Sequence, residues 1–287
     1  MAGDYLAFIT DMHLAPADAE AERAQSGLDR PARRARHLQT ALEQIREHPP
    51  AAVLFGGDNT NQPVTRPAYR DAGLQLMDQF PKPWHAIPGN HDVGSCIGWH
   101  HHNPDELSKA GKAFREAFGP DRWVLECAGF RVIAANSQIF GADLPEAREQ
   151  EQWLADELAT GTDLVRVFFI HTPLYLQTPE DDFDDGSEQM CLKPAARRSV
   201  LDILNQHPPE LLITGHCHRY WACRQSQWDW LGLPATALGQ HEMNAIPSHG
   251  LPDGHDAVGW VALRRQGNGW QAIRHEIPQA DLSTAEH

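Results

Sequence analysis

Short apolar runs alternate along the chain with stretches whose apolar residues recur at helical spacing. YLAFIT, Tyr5–Thr10, predicts a buried strand. RPARRARHLQTALEQIREH, Arg30–His48, predicts a helix with Leu38, Leu42 and Ile45 on one face. AAVLFGGD (Ala51–Asp58) predicts a second strand, PAYRDAGLQLMDQF (Pro67–Phe80) a second helix, and WHAIPGNHD (Trp84–Asp92) a third strand running into a loop. The middle continues in kind. Asp105–Phe118 has helical spacing, and RWVLECAGFRVIAAN predicts two strands joined at Ala128-Gly129. EAREQEQWLADELA predicts a helix with Trp153, Leu154 and Leu158 inward. VRVFFIH (Val165–His171) is a buried strand, Pro194–Asn205 a helix, and LLIT (Leu211–Thr214) a strand. The last quarter is strand-like, ending in VGWVALRR and GWQAIRHEI. Alternation of strand and helix at this spacing predicts an α/β fold, with no internal repeat and no linker to divide residues 1–287, so one domain is expected.

Composition narrows the function classes. A 41% hydrophobic share in 287 residues supports a buried core. No apolar run is long enough to span a bilayer, and MAGDYLAFITDMH lacks the basic start and cleavage site of a signal peptide. The five cysteines form no C-x-x-C pair and read as reduced thiols of a cytoplasmic protein. The formal net charge of −15 disfavours nucleic acid and anionic membrane as partners. It also opposes any anionic substrate unless a local cationic centre offsets it.

The polar residues line up with the strand ends. Asp11 and His13 follow the first strand, Asp58 the second, and Asn90, His91 and Asp92 the third; His171 ends VFFIH, and His216 and His218 follow LLIT. Open α/β sheets bind ligands at that edge. If the GHCH backbone is extended, His216 and His218 point the same way and Cys217 points away. Aspartate, asparagine and neutral imidazole form a ligand set suited to Fe, Zn, Mn or Co rather than Ca. Asp11, His13, Asp58, Asn90, His171, His216 and His218 are too many for one tetrahedral zinc and suit two ions sharing a carboxylate. Two ions about 3.5–4 Å apart can clamp the attacking and leaving oxygens of a phosphoryl transfer.

DMH, GGDN, GNHD, IHTP and GHCH, in that order, resemble the signature of the calcineurin-like metallophosphoesterase superfamily. The resemblance spans Asp11 to His218. It implies a four-layer α/β/β/α sandwich with two mixed sheets and a dinuclear centre of Fe, Mn or Zn. One ion would be held by Asp11, His13, Asp58 and His218, the other by Asp58, Asn90, His171 and His216, with Asp58 bridging. His91 would contact the phosphoryl group or protonate the leaving oxygen, and Asp92 would orient His91. The implied activity is hydrolysis of a phosphate ester by in-line attack of a metal-bound hydroxide. The run GGDNTNQP lacks the tyrosine that serves purple acid phosphatases, and HTP stands where bacterial cyclic-nucleotide phosphodiesterases often have HHP. HTPLYLQTPEDDFDD resembles a cytosolic branch regarded as phosphomonoesterases of phosphoproteins, so a monoester, small or protein-borne, is the favoured substrate. A phosphodiesterase is the alternative, and an inactive binding module on the same fold the alternative of another class. Three stretches lie outside the motifs: the acidic PEDDFDDGSE (Pro179–Glu188), expected as a solvated lid; WHHHNPD (Trp99–Asp105), expected as a surface loop; and GQHEMNAIPSHG, whose His241 is expected to line the substrate pocket.

Overall fold

The apolar runs are strands sorted into two sheets, and the central ones, such as Tyr5–Ile9 and Leu211–Thr214, are buried on both faces. The computed structural model describes residues 3–19, 30–94, 103–181, 190–239, 254 and 258–278. The strands are β1 (Tyr5–Ile9), β2 (Ala52–Phe55), β3 (Trp84–Ala86), β4 (Trp123–Cys127), β5 (Phe130–Ala134), β6 (Val165–Ile170), β7 (Leu211–Thr214), β8 (Trp221–Arg224), β9 (Asp229–Gly232), β10 (Gly259–Gln266) and β11 (Gly269–Glu276). The helices are α1 (Arg30–Glu47), α2 (Pro67–Met77), α3 (Asn90–Val93), α4 (Pro104–Phe118), α5 (Pro145–Ala159) and α6 (Pro194–Gln206). Of these, α2, α4, α5 and α6 start on proline, whose fixed φ suits a first turn and whose missing N–H costs nothing there.

One sheet has the order β11-β10-β1-β2-β3, the other β4-β5-β6-β7-β9-β8. In the first, β1, β2 and β3 are parallel, β10 runs against β1, and β11 pairs antiparallel with β10 at the edge. In the second, β5, β6, β7 and β9 are parallel, with β4 and β8 antiparallel at the edges. Alternation along each strand divides its side chains between two cores. Leu6, Phe8 and Leu54 of one sheet meet Val132, Val167, Phe169 and Ile213 of the other. From the opposite faces, Ala7, Ile9 and Phe55 pack under Leu38, Leu42 and Ile45 of α1 and Phe114 of α4, while Phe168 and Leu212 pack under Leu154 and Leu158 of α5 and Val200 and Leu204 of α6. The result is the α/β/β/α sandwich with two mixed sheets.

Two local readings differ. Trp153 is only half-buried, with Arg122 over its ring at 5.8 Å. It sits one residue, about 100° of helix, from Leu154, and the buried stripe is Ala147, Gln150, Leu154 and Leu158. Beyond β3 the chain forms the one-turn α3 rather than a loop.

The inter-sheet layer holds the strand ends in register. Phe169 is fully buried and meets Phe8 of the facing sheet edge-on at 5.1 Å. Phe169→Ala is expected to lower stability by about 3–5 kcal/mol in urea denaturation.

Candidate metal centre

The carboxyl ends of β1, β2 and β3 and those of β6 and β7 open onto one rim shared by both sheets. Backbone bonds tie the rim together. Asp11 N donates to Gly57 O at 3.0 Å and His13 N to Asp58 O at 2.8 Å. From the second sheet's side, Thr236 N and Ala237 N donate to the carbonyls of Thr10 (3.0 Å) and Asp11 (3.2 Å). Among described non-glycine residues, positive φ occurs at Asp11 (53°), His13 (46°), Asp58 (49°), His216 (69°) and His218 (50°), and otherwise only at Ala128 (51°). Each such residue costs on the order of 1–3 kcal/mol unless its surroundings hold it, and such strain gathers at functional sites. His216 and His218 are therefore not extended. Their rings part, one to each half of the cluster, while Cys217 does point away, toward the Met190 carbonyl.

The first half joins Asp11, His13 and His218, and the second joins Asp58, His171 and His216. In the first, His218 Nε2 lies 3.3 Å from Asp11 Oδ1 and 3.0 Å from His13 Nε2. In the second, His171 Nε2 lies 3.1 Å from Asn90 Oδ1. Asp58 sits between them. Its Oδ1 accepts the His91 N–H at 2.8 Å, and its Oδ2 is 3.6 Å from His13 Nε2 and 3.5 Å from His171 Nε2. His91 joins His13 and Asp58 in a third grouping, its ring edge-on to His13 at 4.4 Å.

Outer contacts aim these side chains. His171 Nδ1 donates to Gly56 O at 2.8 Å and His218 Nδ1 to Leu238 O at 2.7 Å, so each directs Nε2 inward. Asp11 Oδ2 accepts from the Thr10 hydroxyl (2.8 Å) and His216 N (3.0 Å), while its buried Oδ1 has no hydrogen-bond donor. A buried carboxylate oxygen facing imidazole nitrogens with no donor is one a divalent cation would satisfy, and the nitrogen and oxygen donors fit a transition metal. Two glycines allow the approach. A Cβ on Gly89 would collide with Asp58 Oδ1 and its backbone nitrogen, and one on Gly215 with the Thr10 hydroxyl.

Charge in the cluster is strongly coupled. Burial pushes the Asp58 carboxyl up, but His171, His91 and His13 more than offset this and hold it well below the usual carboxylate range. Burial would push the His171 imidazole down; Asp58 and Asp11 raise it instead to about 9. His13 is held well below its ordinary value, first by burial and then by His91.

The resemblance implies that Asp92 orients His91, but the hydrogen bonds of its carboxylate go to other groups. Its fully buried carboxylate accepts from Asn59 N, Asn59 Nδ2, Thr60 N, the Thr60 hydroxyl and Gly89 N, at 2.8–3.2 Å. It staples the GGDNT and GNHD segments together, because successive residues of a helical turn point about 100° apart. Burial and the Asp58 charge raise it to about 6. The ring of His91 is held instead by the Asn61 carbonyl, 3.0 Å from Nδ1. A backbone acceptor carries no side-chain signal in the sequence. Thr10 was equally hidden, since a threonine ending a β-run reads as strand. Of the acidic stretch, Asp181 is buried and closes a turn by accepting from the N–H groups of Leu176, Gln177 and Thr178. His241, Trp99–His102 and residues 182–188 lie outside the described residues.

The chain also matches known proteins. Residues 5–220 match the family model described as calcineurin-like phosphoesterase. The chain belongs to that family. A serine/threonine-protein phosphatase of Danio rerio, CPPED1, is 28% identical over 139 residues, 46% of this chain and 41% of that protein. The chain thus aligns with less than half of that relative's length. A probable cyclic nucleotide phosphodiesterase of Synechococcus, syc0937_d, is 24% identical over 280 residues, covering 95% of this chain and 92% of the relative. In fold, a purple acid phosphatase from yellow lupin (Lupinus luteus) superposes with a TM-score of 0.66 at 14% identity, over 95% of this chain and 51% of that one. The phosphoesterases of this family use divalent metal ions, and the clustered Asp and His side chains are candidate ligands.

The raised His171 has a measurable consequence. In the metal-free protein its Nε2 carries a proton below pH 9, and an ion can take that nitrogen only after the proton leaves. Loading Mn²⁺ at pH 7.5 is expected to release about one proton or more per protein, read by calorimetry in buffers of different ionisation heat. A count of zero would remove His171 from the ligand set.

Proposed function

We propose that this chain is a phosphoric ester hydrolase acting on phosphomonoesters, of a small molecule or a phosphoprotein, with two Fe, Mn or Zn ions as cofactor. The observation that carries the proposal is the position of Asp58 Oδ2, at nearly equal distance from an imidazole of each half. Asp11, His13 and His218 would complete one ion's ligands, and Asn90, His171 and His216 the other's. Bound there, the ions would lower the pKa of water and offset charge on the phosphoryl oxygens.

The protein's own groups do the rest. With Nδ1 engaged by Asn61 and its backbone N–H on Asp58, His91 is held at the edge of both halves. Its Nε2 would meet the ester and hand a proton to the leaving oxygen. Asp92 keeps the turn under His91 in place through the Asn59–Thr60 segment. Presence of His91 alongside the full ligand set favours an enzyme over a binding module on this fold. The thiols of Cys127, Cys217 and Cys223, in no disulfide among the described residues, support a reducing, cytoplasmic setting. Among the described residues, no helix is long and apolar enough to cross a membrane.

A phosphodiesterase is the second reading, favoured by one observation: the Synechococcus relative aligns with 95% of this chain. A panel of p-nitrophenyl phosphate and bis-(p-nitrophenyl) phosphate, with Mn, Fe and Zn loaded separately, decides between them. Faster turnover of the monoester is expected, and preference for the diester would overturn that choice. His91→Ala is expected to keep its metal while turnover falls about 10²–10⁴-fold. Full metal content with near-normal turnover would reject the role given to His91.

A further inference from the structure

We propose that Arg34 and His37, on a helix that supplies no candidate ligand, are positioning residues that set how tightly the Asp11–His13–His218 half of the centre holds its ion. The inference rests on the two-ion reading above. Leu38, Leu42 and Ile45 seat α1 on the first sheet, and its amino-terminal turns reach the rim, where Arg34 and His37 are buried. Arg34 Nη1 donates to the His13 carbonyl at 3.0 Å. His37 Nδ1 donates to the Ala237 carbonyl at 2.7 Å. The next carbonyl along, Leu238, is the one that accepts from His218 Nδ1, and the Ala237 N–H donates to Asp11 O. One helix therefore grips both backbone segments on which this half depends.

His171 and His13 are anchored by different means. His171 is fixed through its own ring, by Gly56 on one side and Asn90 on the other. His13 has no such ring anchor, since its buried Nδ1 has no hydrogen-bond partner. Its left-handed backbone is held through main-chain bonds, to which Arg34 contributes a permanently charged donor. Removing that donor frees the residue to relax, and the cost falls on the ion that needs His13 in place. His37 does the same for His218 one step removed, through the 237–238 backbone. Outer partners of this kind typically change metal affinity by about 10–100-fold.

The test uses the full chain titrated with Co²⁺, read by visible absorption, together with Mn²⁺ content after gel filtration through chelator. Wild type is expected to hold two ions. Arg34→Leu and His37→Phe are expected to weaken one of them about tenfold or more and leave the other within about twofold. Arg34→Lys and His37→Asn, which keep an N–H donor, are expected to restore most of the loss. Parallel weakening of both ions, or no change in either, would overturn the inference. So would failure of the donor-keeping variants to recover, because a purely structural role would not distinguish them. If His37→Phe does not fold by circular dichroism, the Arg34 pair decides alone. Wild type that binds no Co²⁺ at all would sink the two-ion reading and this inference with it. Two ions bound by wild type and by every variant alike would sink this inference only.

Discussion

The buried carboxylate of Asp58, shared between two clusters of imidazoles, is the constraint on which the rest of the structure turns. Asp11 and Asp58 are almost fully buried in a chain whose formal charge is already −15. A buried charge is costly unless it is paired and hydrogen-bonded. The fold meets that demand by bringing five strand ends from two sheets to one rim, so that histidines from both surround the carboxylates. In the metal-free state a proton on His171 supplies part of the offsetting charge. Cations at the same place would do so more completely, and would also satisfy the Asp11 oxygen that the protein leaves without a donor.

The backbone shows how firmly this arrangement is imposed. Left-handed φ at Asp11, His13, Asp58, His216 and His218 turns each side chain off the line of its strand and into the rim. Asp and His tolerate that region better than β-branched residues do. The strain is borne because neighbouring segments fix the same atoms repeatedly. The carbonyls of Gly56 and Leu238 hold rings, Asp92 holds the Asn59–Thr60 turn against Gly89, and the 236–237 backbone is bonded to Thr10 and Asp11. Rigid strands supply position, and the strained residues just beyond them supply direction.

How much of this could be read in the sequence follows from the same division. Strands buried on both faces announce themselves as unbroken apolar runs, and YLAFI, AVLF, VRVFFI and LLIT are where those runs placed them. The order DMH, GGDN, GNHD, IHTP, GHCH was enough to gather the candidate ligands. Backbone hand was not legible, because period-two reasoning assumes an extended chain. The resemblance still placed His216 and His218 on different ions, as the two groupings have them, but the left-handed turn that parts their rings was not foreseen. The resemblance pairs Asp92 with His91, and the bonds its carboxylate makes to Asn59, Thr60 and Gly89 had no signal in the sequence. Contacts made through main-chain carbonyls, such as Asn61 to His91, leave no trace in side-chain identity at all.

The surface charge and the rim make opposite demands, and together they bear on what can approach. At physiological salt the screening length is about 8 Å, so an anion feels mainly the charges closest to it. A long polyanion laid along a chain of net charge −15 meets repulsion over its whole length. A single phosphoryl group reaching the rim meets the acidic surface briefly and then a site whose carboxylates would be outweighed by the charge of two bound ions. On the proposed reading, the same carboxylates that make the protein acidic are what concentrate positive charge at one point. Compact esters, or a phosphorylated side chain presented singly, are the substrates such a field admits most easily.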